Sequence, residues 1–358
     1  MSQFYTAYVG SYTDTNSGKG LTIFDVDVER GDLKKRGEVE VSNATYLITS
    51  PDQRYLYATT DKGIASFRIL PDGNLRRLNT AAIRGMRGCH LSTTADNRFL
   101  FVSGSFDGKI TVLHINEDGS VGSIADGIFH KGLGSIAERN FQPHVRCAVL
   151  TPDEKYLCVA DSGMDQIKIY RFQRKTGELT EADVIRCHLQ AAPCFLLFSP
   201  DGKYLYVMKE LSNKIAVYSY DGSGKQPIFE QIQVVSTLGK KFNDYSAATM
   251  MTFAKDASRL LCTNTGDHSL GIFERDQETG LLRQMSVLPI SGERPTDICM
   301  FPDERHLFCA NYESSTLTFF RVHFDTGLIV MSRAPLPVDQ PECALIVSPP
   351  QTDSSKRL

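Results

Sequence analysis

No stretch of this 358-residue chain approaches the roughly 18 consecutive apolar residues that a membrane-spanning helix requires, so no membrane association is expected. A basic excess is missing as well. The 39 Lys and Arg face 42 Asp and Glu, a net charge of -3, which leaves nothing to neutralise phosphates and argues against nucleic acid as a partner. The opening residues, MSQFYTAYVGSY, carry neither a charged leader nor a long apolar run, so no secretory signal is expected there. The nine cysteines are scattered and contain no CxxC pair, which argues against a thiolate metal site. Cys158, Cys262 and Cys309 lie in the apolar runs YLCVAD, LLCTNT and LFCANY, where they read as small core residues of a protein in a reducing compartment; a cytoplasmic location is expected. HExxH, GxSxG and glycine-rich phosphate loops are absent, and no carboxylate cluster has calcium-binding spacing. No metal and no cofactor are therefore expected. A long amphipathic helix is missing too.

What the chain has is a repeat. SPDQRYLYA, TADNRFLFV, TPDEKYLCV, SPDGKYLYV, AKDASRLLC and FPDERHLFC are copies, aligned on Asp52, Asp96, Asp153, Asp201, Asp256 and Asp303 at spacings of 44, 57, 48, 55 and 47. In each unit an apolar run leads into an aspartate turn. A second run alternates apolar and aromatic residues, a loop leads to a third (GKITVLHIN, DQIKIYRF, NKIAVYSY), and a glycine turn leads to a weaker fourth. β-Branched and aromatic residues with period two specify strands. Four short strands per unit of this length specify a propeller blade.

Six copies leave two ends. PECALIV near the C-terminus resembles a first strand with nothing after it, while FYTAYVGSYTD, KGLTIFDVD and GDLKKRGEVEV resemble strands two to four with no first. Joined, they complete a seventh blade and hide the edges an open array would expose. The fold expected is an all-β, seven-bladed propeller over residues 1–358 as one domain.

Alternating strand direction then fixes where chemistry gathers. Loops entering first strands and loops leaving second strands share one face, and the aspartate turns share the other. The entering set is Asn43 and Tyr46, Cys89 and His90, His144 and Arg146, Pro193 and Cys194, Ser246 and Thr249, Arg294 and Asp297, and Glu342 and Cys343. The loops after second strands add Asp161, Asp165, Lys209, Glu210, Asp267 and Tyr312. A cationic, histidine-containing mouth suits an anionic substrate and acid–base chemistry. Polar channel residues also serve simply to bind ordered water. The remaining histidines, His130 and His306 among them, read as surface or local packing residues.

The motifs YVGSYT, CHLSTTADNRFLFVSG, PHVRCAVLTPDEKYLCVADSG and KELSNKIAVYSYD, in this order, resemble the seven-bladed β-propeller lactonases, which include bacterial 6-phosphogluconolactonases and fungal enzymes that cyclise carboxymuconate. The resemblance implies a site on the face already deduced. PHVR is similar to a Pro-His-Ala-His motif, with His144 on its first histidine and Arg146 in place of its second. KELS is similar to Asn-Glu-Leu-Ser, which carries over Glu210 and puts Lys209 where an asparagine stands. Cys89-His90 matches a Cys-His pair. An expected arginine and histidine are replaced by Cys194 and Phe195, and an expected glutamate by Thr249. Arg294 or Arg146 stands in for the lost arginine.

The function these residues imply is hydrolysis of a sugar lactone, foremost 6-phosphogluconolactone, a small anionic partner. The alternatives are a lactonase or cycloisomerase acting on another anionic or oxidised sugar, and a non-catalytic binding propeller. His144, Arg146 and Glu210 are the expected catalytic residues. Arg146 or Arg294 would stabilise the oxyanion, with His144 or Glu210 as general base. His90, Lys209, Arg294 and Asp297 are the expected substrate-binding residues.

Overall fold

A computed structural model describes residues 4–14, 18–134, 142–325, 327–348 and 350. It contains seven antiparallel sheets, each of four strands from the centre outward, and one carries a short extra strand, Leu336–Pro337. The inner strands pack side by side in a closed ring. The ring closes as the sequence implies. Pro341–Val347, near the end of the described chain, is the inner strand of the sheet whose other three strands are Thr6–Ser11, Gly20–Asp27 and Asp32–Glu40.

The second strand of every blade is buried on both sides because it is covered by the blades before and after it. YLYATT, FLFVSG, YLCVAD and HLFCAN are buried at all six positions. Seven hydrophobic layers result among the described residues, each shared by two adjacent blades. In the layer at the closure, Ala7 and Val9 of the first strand meet Phe308 and Phe319 of the preceding blade. Burying each phenylalanine contributes about 2–3 kcal/mol. The cysteines follow this logic: all nine are free, and Cys158, Cys262 and Cys309 are fully buried.

The aspartate turns owe their recurrence to their hydrogen bonds. Ser50 Oγ donates to Asp52 Oδ1 at 2.6 Å, and the same carboxylate accepts the Arg54 amide. Thr94–Asp96 and Thr151–Asp153 repeat the pattern. The residue after each aspartate takes a left-handed φ, as in Gln53, Asn97 and Glu154, which turns the chain sharply into the second strand.

One further feature of the inner strands positions the site. Five of them change register against their second strand near the mouth, at Arg146, Cys194, Thr249, Thr296 and Glu342. A bulge adds an unpaired residue and re-aims its side chain. Cys194, Thr249 and Thr296 use that freedom to donate to the next blade, reaching the carbonyls of Ala248 (3.5 Å), Pro295 (3.1 Å) and Pro341 (3.1 Å). Arg146 and Glu342 form no such bond among the described residues.

The closing strand also buries Asp297, whose two carboxylate oxygens accept the amides of Ile298 and Ala344, each at 2.8 Å. A chain ended at Gln340 loses the inner strand of one blade and opens two hydrophobic layers. Its melting temperature should fall on the order of 10 °C or more, or cooperative melting should be lost, as measured by circular dichroism. A melt indistinguishable from the full chain would contradict this role for the closure.

Candidate active site

Arg146 is the bulge residue of the strand Val145–Leu150, and its side chain is 35% exposed in the channel mouth. Its Nη1 lies 3.5 Å from Oε2 of Glu210, which follows directly on the strand Tyr204–Lys209 of the next blade. The Glu210 carboxylate holds the guanidinium charge above its ordinary range against the cost of burial. The loop carrying Glu210 is itself tied down: the Glu210 amide donates to Ala192 O at 2.8 Å, and the Ala248 amide donates to Glu210 O at 3.2 Å.

His144 stands two residues before Arg146. Its Nδ1 lies 2.8 Å from the carbonyl of Ser105, so Nδ1 is the donor there and Nε2 is the nitrogen left to face a substrate. Its backbone is held by Asp161 Oδ1, which accepts the amides of His144 (2.9 Å), Gly163 (3.1 Å) and Met164 (3.1 Å). The other Asp161 oxygen lies 2.6 Å from His130 Nδ1, both side chains being 0% exposed, and Tyr170 Oη lies 3.0 Å from His130 Nε2. His130 is therefore a packing residue, as expected from the sequence, but a deeply buried one that anchors the aspartate beneath His144. Gly163 is needed at this corner, since a Cβ there would sit 1.8 Å from Gln142 O and 3.0 Å from the His144 ring.

Across the mouth runs a row of rings and cations. Arg87 stacks over Tyr12 at 4.9 Å and Phe106 at 5.7 Å. Tyr12 meets Tyr312 edge-on at 5.4 Å, and Arg294 stacks over Tyr312 at 4.3 Å. Arg294 adopts a left-handed φ of 54°, shared by Asn43 and Ala192 at the same place before their own inner strands. Its amide donates to His268 Nδ1 at 3.1 Å. Arg87 pairs with Asp61 at 3.1 Å, while the Arg294–Glu313 pair is looser, at 4.0 Å, and exposed. Solvent screens such a pair strongly. Between the row and Arg146 sits Glu342. Burial pushes its carboxyl up to about 7, although Arg294, Arg146 and Arg87 pull the other way.

The structure thus brings His144, Arg146, Glu210 and Arg294 to one mouth. It does not bring the other three expected residues there as ligands. Lys209 is 3% exposed and lies beside Cys187 and Asp165; burial lowers its pKa. It is the last residue of its strand and Glu210 is the next, so the two side chains point to opposite sides. His90 is 5% exposed, and burial drives its pKa down to about 3, so it is neutral. It packs on Tyr46 at 4.7 Å, Cys147 Sγ at 3.4 Å and Phe195 at 5.8 Å. The Phe195 contact skips a blade and so crosses the channel, which makes His90 part of its floor. Asp297 is buried with its oxygens on two amides, and burial raises its pKa to about 6. Sequence reasoning named Glu342 among the entering residues without a role and missed Arg87, which reaches the site from a loop two blades away.

A second concavity, about 830 Å³, opens on the opposite face between the turns of Asp256 and Asp303. It is lined by His306 and His323 with Arg259, Arg305 and Arg321, and His306 is engaged by Asp303 at 2.7 Å.

A family model described as "Lactonase, 7-bladed beta-propeller" matches residues 6–346. A 6-phosphogluconolactonase of Bacillus subtilis is 32% identical over 95% of this chain and 97% of its own length. One of Formosa agariphila is 26% identical over 89% and 93%. The solved structure of a periplasmic gluconolactonase of Pseudomonas aeruginosa superposes with a TM-score of 0.90 at 25% identity, covering 97% of this chain and all of the other.

Replacing Asp161 by Ala orphans a buried histidine and three amides. It should lower unfolding free energy by about 3–5 kcal/mol in urea titrations. A loss under about 1 kcal/mol would show that the buried network does not hold this segment.

Proposed function

We propose, from the premise that the chain belongs to the seven-bladed β-propeller lactonase family and is a lactone-hydrolysing esterase, that its substrate is 6-phosphogluconolactone, opened to 6-phosphogluconate. The observation that carries the reading is the pair His144 and Arg146: an imidazole with Nε2 left to face a substrate, two residues from a guanidinium set on a bulge in the same mouth. Lactone opening needs both. His144 Nε2 takes a proton from the attacking water. As the water oxygen bonds to the ring carbonyl carbon, negative charge develops on the carbonyl oxygen, and Arg146 stabilises it. Glu210 keeps Arg146 aimed rather than acting as base, since its carboxylate already faces the guanidinium.

The phosphate is assigned to Arg294 with Arg87. Arg294 has the loosest carboxylate pair of the three mouth arginines, so it exchanges partners at least cost. The flanking rings of Tyr12 and Tyr312 hold both cations and present flat faces to a sugar. The nine free thiols support a cytoplasmic setting.

Acid release from freshly prepared 6-phosphogluconolactone should exceed the spontaneous rate. Arg146→Ala should lower kcat about 100- to 1,000-fold, the usual effect of losing one oxyanion donor. Arg294→Ala should raise KM for the phosphorylated lactone about tenfold or more while leaving KM for glucono-δ-lactone within about twofold, as expected for loss of a charged contact. No acceleration by the parent protein overturns the substrate assignment. Equal effects of Arg294→Ala on both lactones remove the phosphate from that arginine.

A further inference from the structure

Two of the five inner-strand bulge residues are charged, Arg146 and Glu342, and among the described residues they are the two whose side chains do not hydrogen-bond a carbonyl of the next blade. Arg146 has an explanation in its pairing with Glu210. Glu342 has none so far. Its carboxyl forms no ion pair within 4.0 Å and no side-chain hydrogen bond among the described residues, yet it is half-buried at the centre of the mouth. The groups that face it from the surrounding elements are Arg294, Arg146, Arg87, Asp297 and Tyr12. An acidic side chain set in a channel, re-aimed by a bulge and given no structural partner, is a group held ready for a ligand.

Lactone opening leaves one step without an agent. After water adds to the carbonyl carbon, the bond from that carbon to the ring oxygen must break. The electron pair goes to the ring oxygen, an alkoxide unless it receives a proton. Resting on the lactonase reading, we propose that Glu342 is the catalytic acid that gives its proton to the departing ring oxygen. The ring oxygen leaves as a hydroxyl, and Glu342 remains as carboxylate beside three guanidiniums that stabilise it. The proton that His144 took from water then returns to Glu342, directly or through solvent, and the product, formed as the carboxylic acid, gives water's second proton to solvent and leaves ionised. Atoms and charge balance with water as the only co-reactant.

The state of the carboxyl fits the role. With its pKa raised to about 7, Glu342 is largely protonated below that pH and can donate; above it the group is ionised and the donor is lost. Activity should therefore fall as pH rises through about 7.

The test uses the full-length protein and whichever lactone it opens fastest, 6-phosphogluconolactone or glucono-δ-lactone, so that failure of the substrate assignment does not decide this one. In the parent protein, kcat corrected for spontaneous opening should decline on the alkaline side with a midpoint near 7. In Glu342→Gln, kcat should fall about 100-fold or more, KM should change little, and the alkaline decline should vanish. Glu342→Asp should restore part of kcat together with the decline. Carbon-13 spectra of glutamate-labelled protein should show one carboxyl titrating near 7 that is missing from Glu342→Gln; this readout needs no substrate. The proposal is overturned if Glu342→Gln keeps kcat within about threefold, if it keeps the alkaline decline, or if no carboxyl resonance near neutrality disappears with it.

Discussion

The pairing of Thr6–Ser11 with Pro341–Val347 is the contact on which the rest of the molecule depends. Every other sheet is built from strands that follow one another in the chain, so each could form locally. The ring becomes a ring only when residues more than three hundred positions apart align in register, as Tyr8 does with Leu345 and Val9 with Ala344. That single pairing completes two hydrophobic layers, one against Leu47 and Leu56 and one against Phe308 and Phe319. It also supplies the Ala344 amide that satisfies buried Asp297. Loop-closure entropy grows only slowly with loop length, at about 0.6 kcal/mol per doubling, so this distant clasp costs about 3 kcal/mol more than a ten-residue loop, which the two layers it completes offset.

The same pairing carries the site. The register shift at Gly10 and Ser11 lifts Glu342 out of the ladder. Equivalent shifts lift Cys194, Thr249 and Thr296, whose side chains spend themselves on holding adjacent blades together. One repeated backbone device thus serves two ends. Small polar side chains at the bulge lock the ring, and long charged ones reach the mouth. Because inner strands are fixed by neighbours on both sides, the reaching groups sit on rigid elements. Loop groups such as Arg87 and Arg294 are steadied instead by aromatic faces.

Most of the fold was legible in the sequence because its causes are local and repeated. The Ser/Thr-x-Asp turn, the left-handed residue after it and the all-buried second strand recur in the chain as printed motifs, and the unmatched first and last runs announced the closure. The face carrying the site followed from strand direction alone. Side-chain direction did not. A shift of one residue sends a strand's side chains to the opposite side, and a bulge is such a shift that spacing cannot reveal. His90 pairs without a register shift and faces the floor, and Lys209 and Glu210 are adjacent residues that diverge, so a place at the mouth end of a strand does not by itself make a side chain a ligand. Glu342 stands out only in the structure, because its significance lies in the partners it lacks among the described residues. Arg87 had no local signal, being joined to Tyr12 only by the curvature of the ring.

The departures that the resemblance exposed take on a physical meaning in this geometry. Cys194 and Thr249 replace residues that would carry charge at the mouth, and both now face the next blade's carbonyls instead. A ring of inward bulges tolerates such exchange, because the channel is narrow enough for groups on different blades to meet the same ligand. Arg146 couples to Glu342 from the far side of the channel, and Arg87 reaches over a whole blade to Tyr12. Charged groups on different blades can thus act at one point in the mouth. What decides the chemistry of a site of this kind is the set of groups that converge, not the strand from which each one comes.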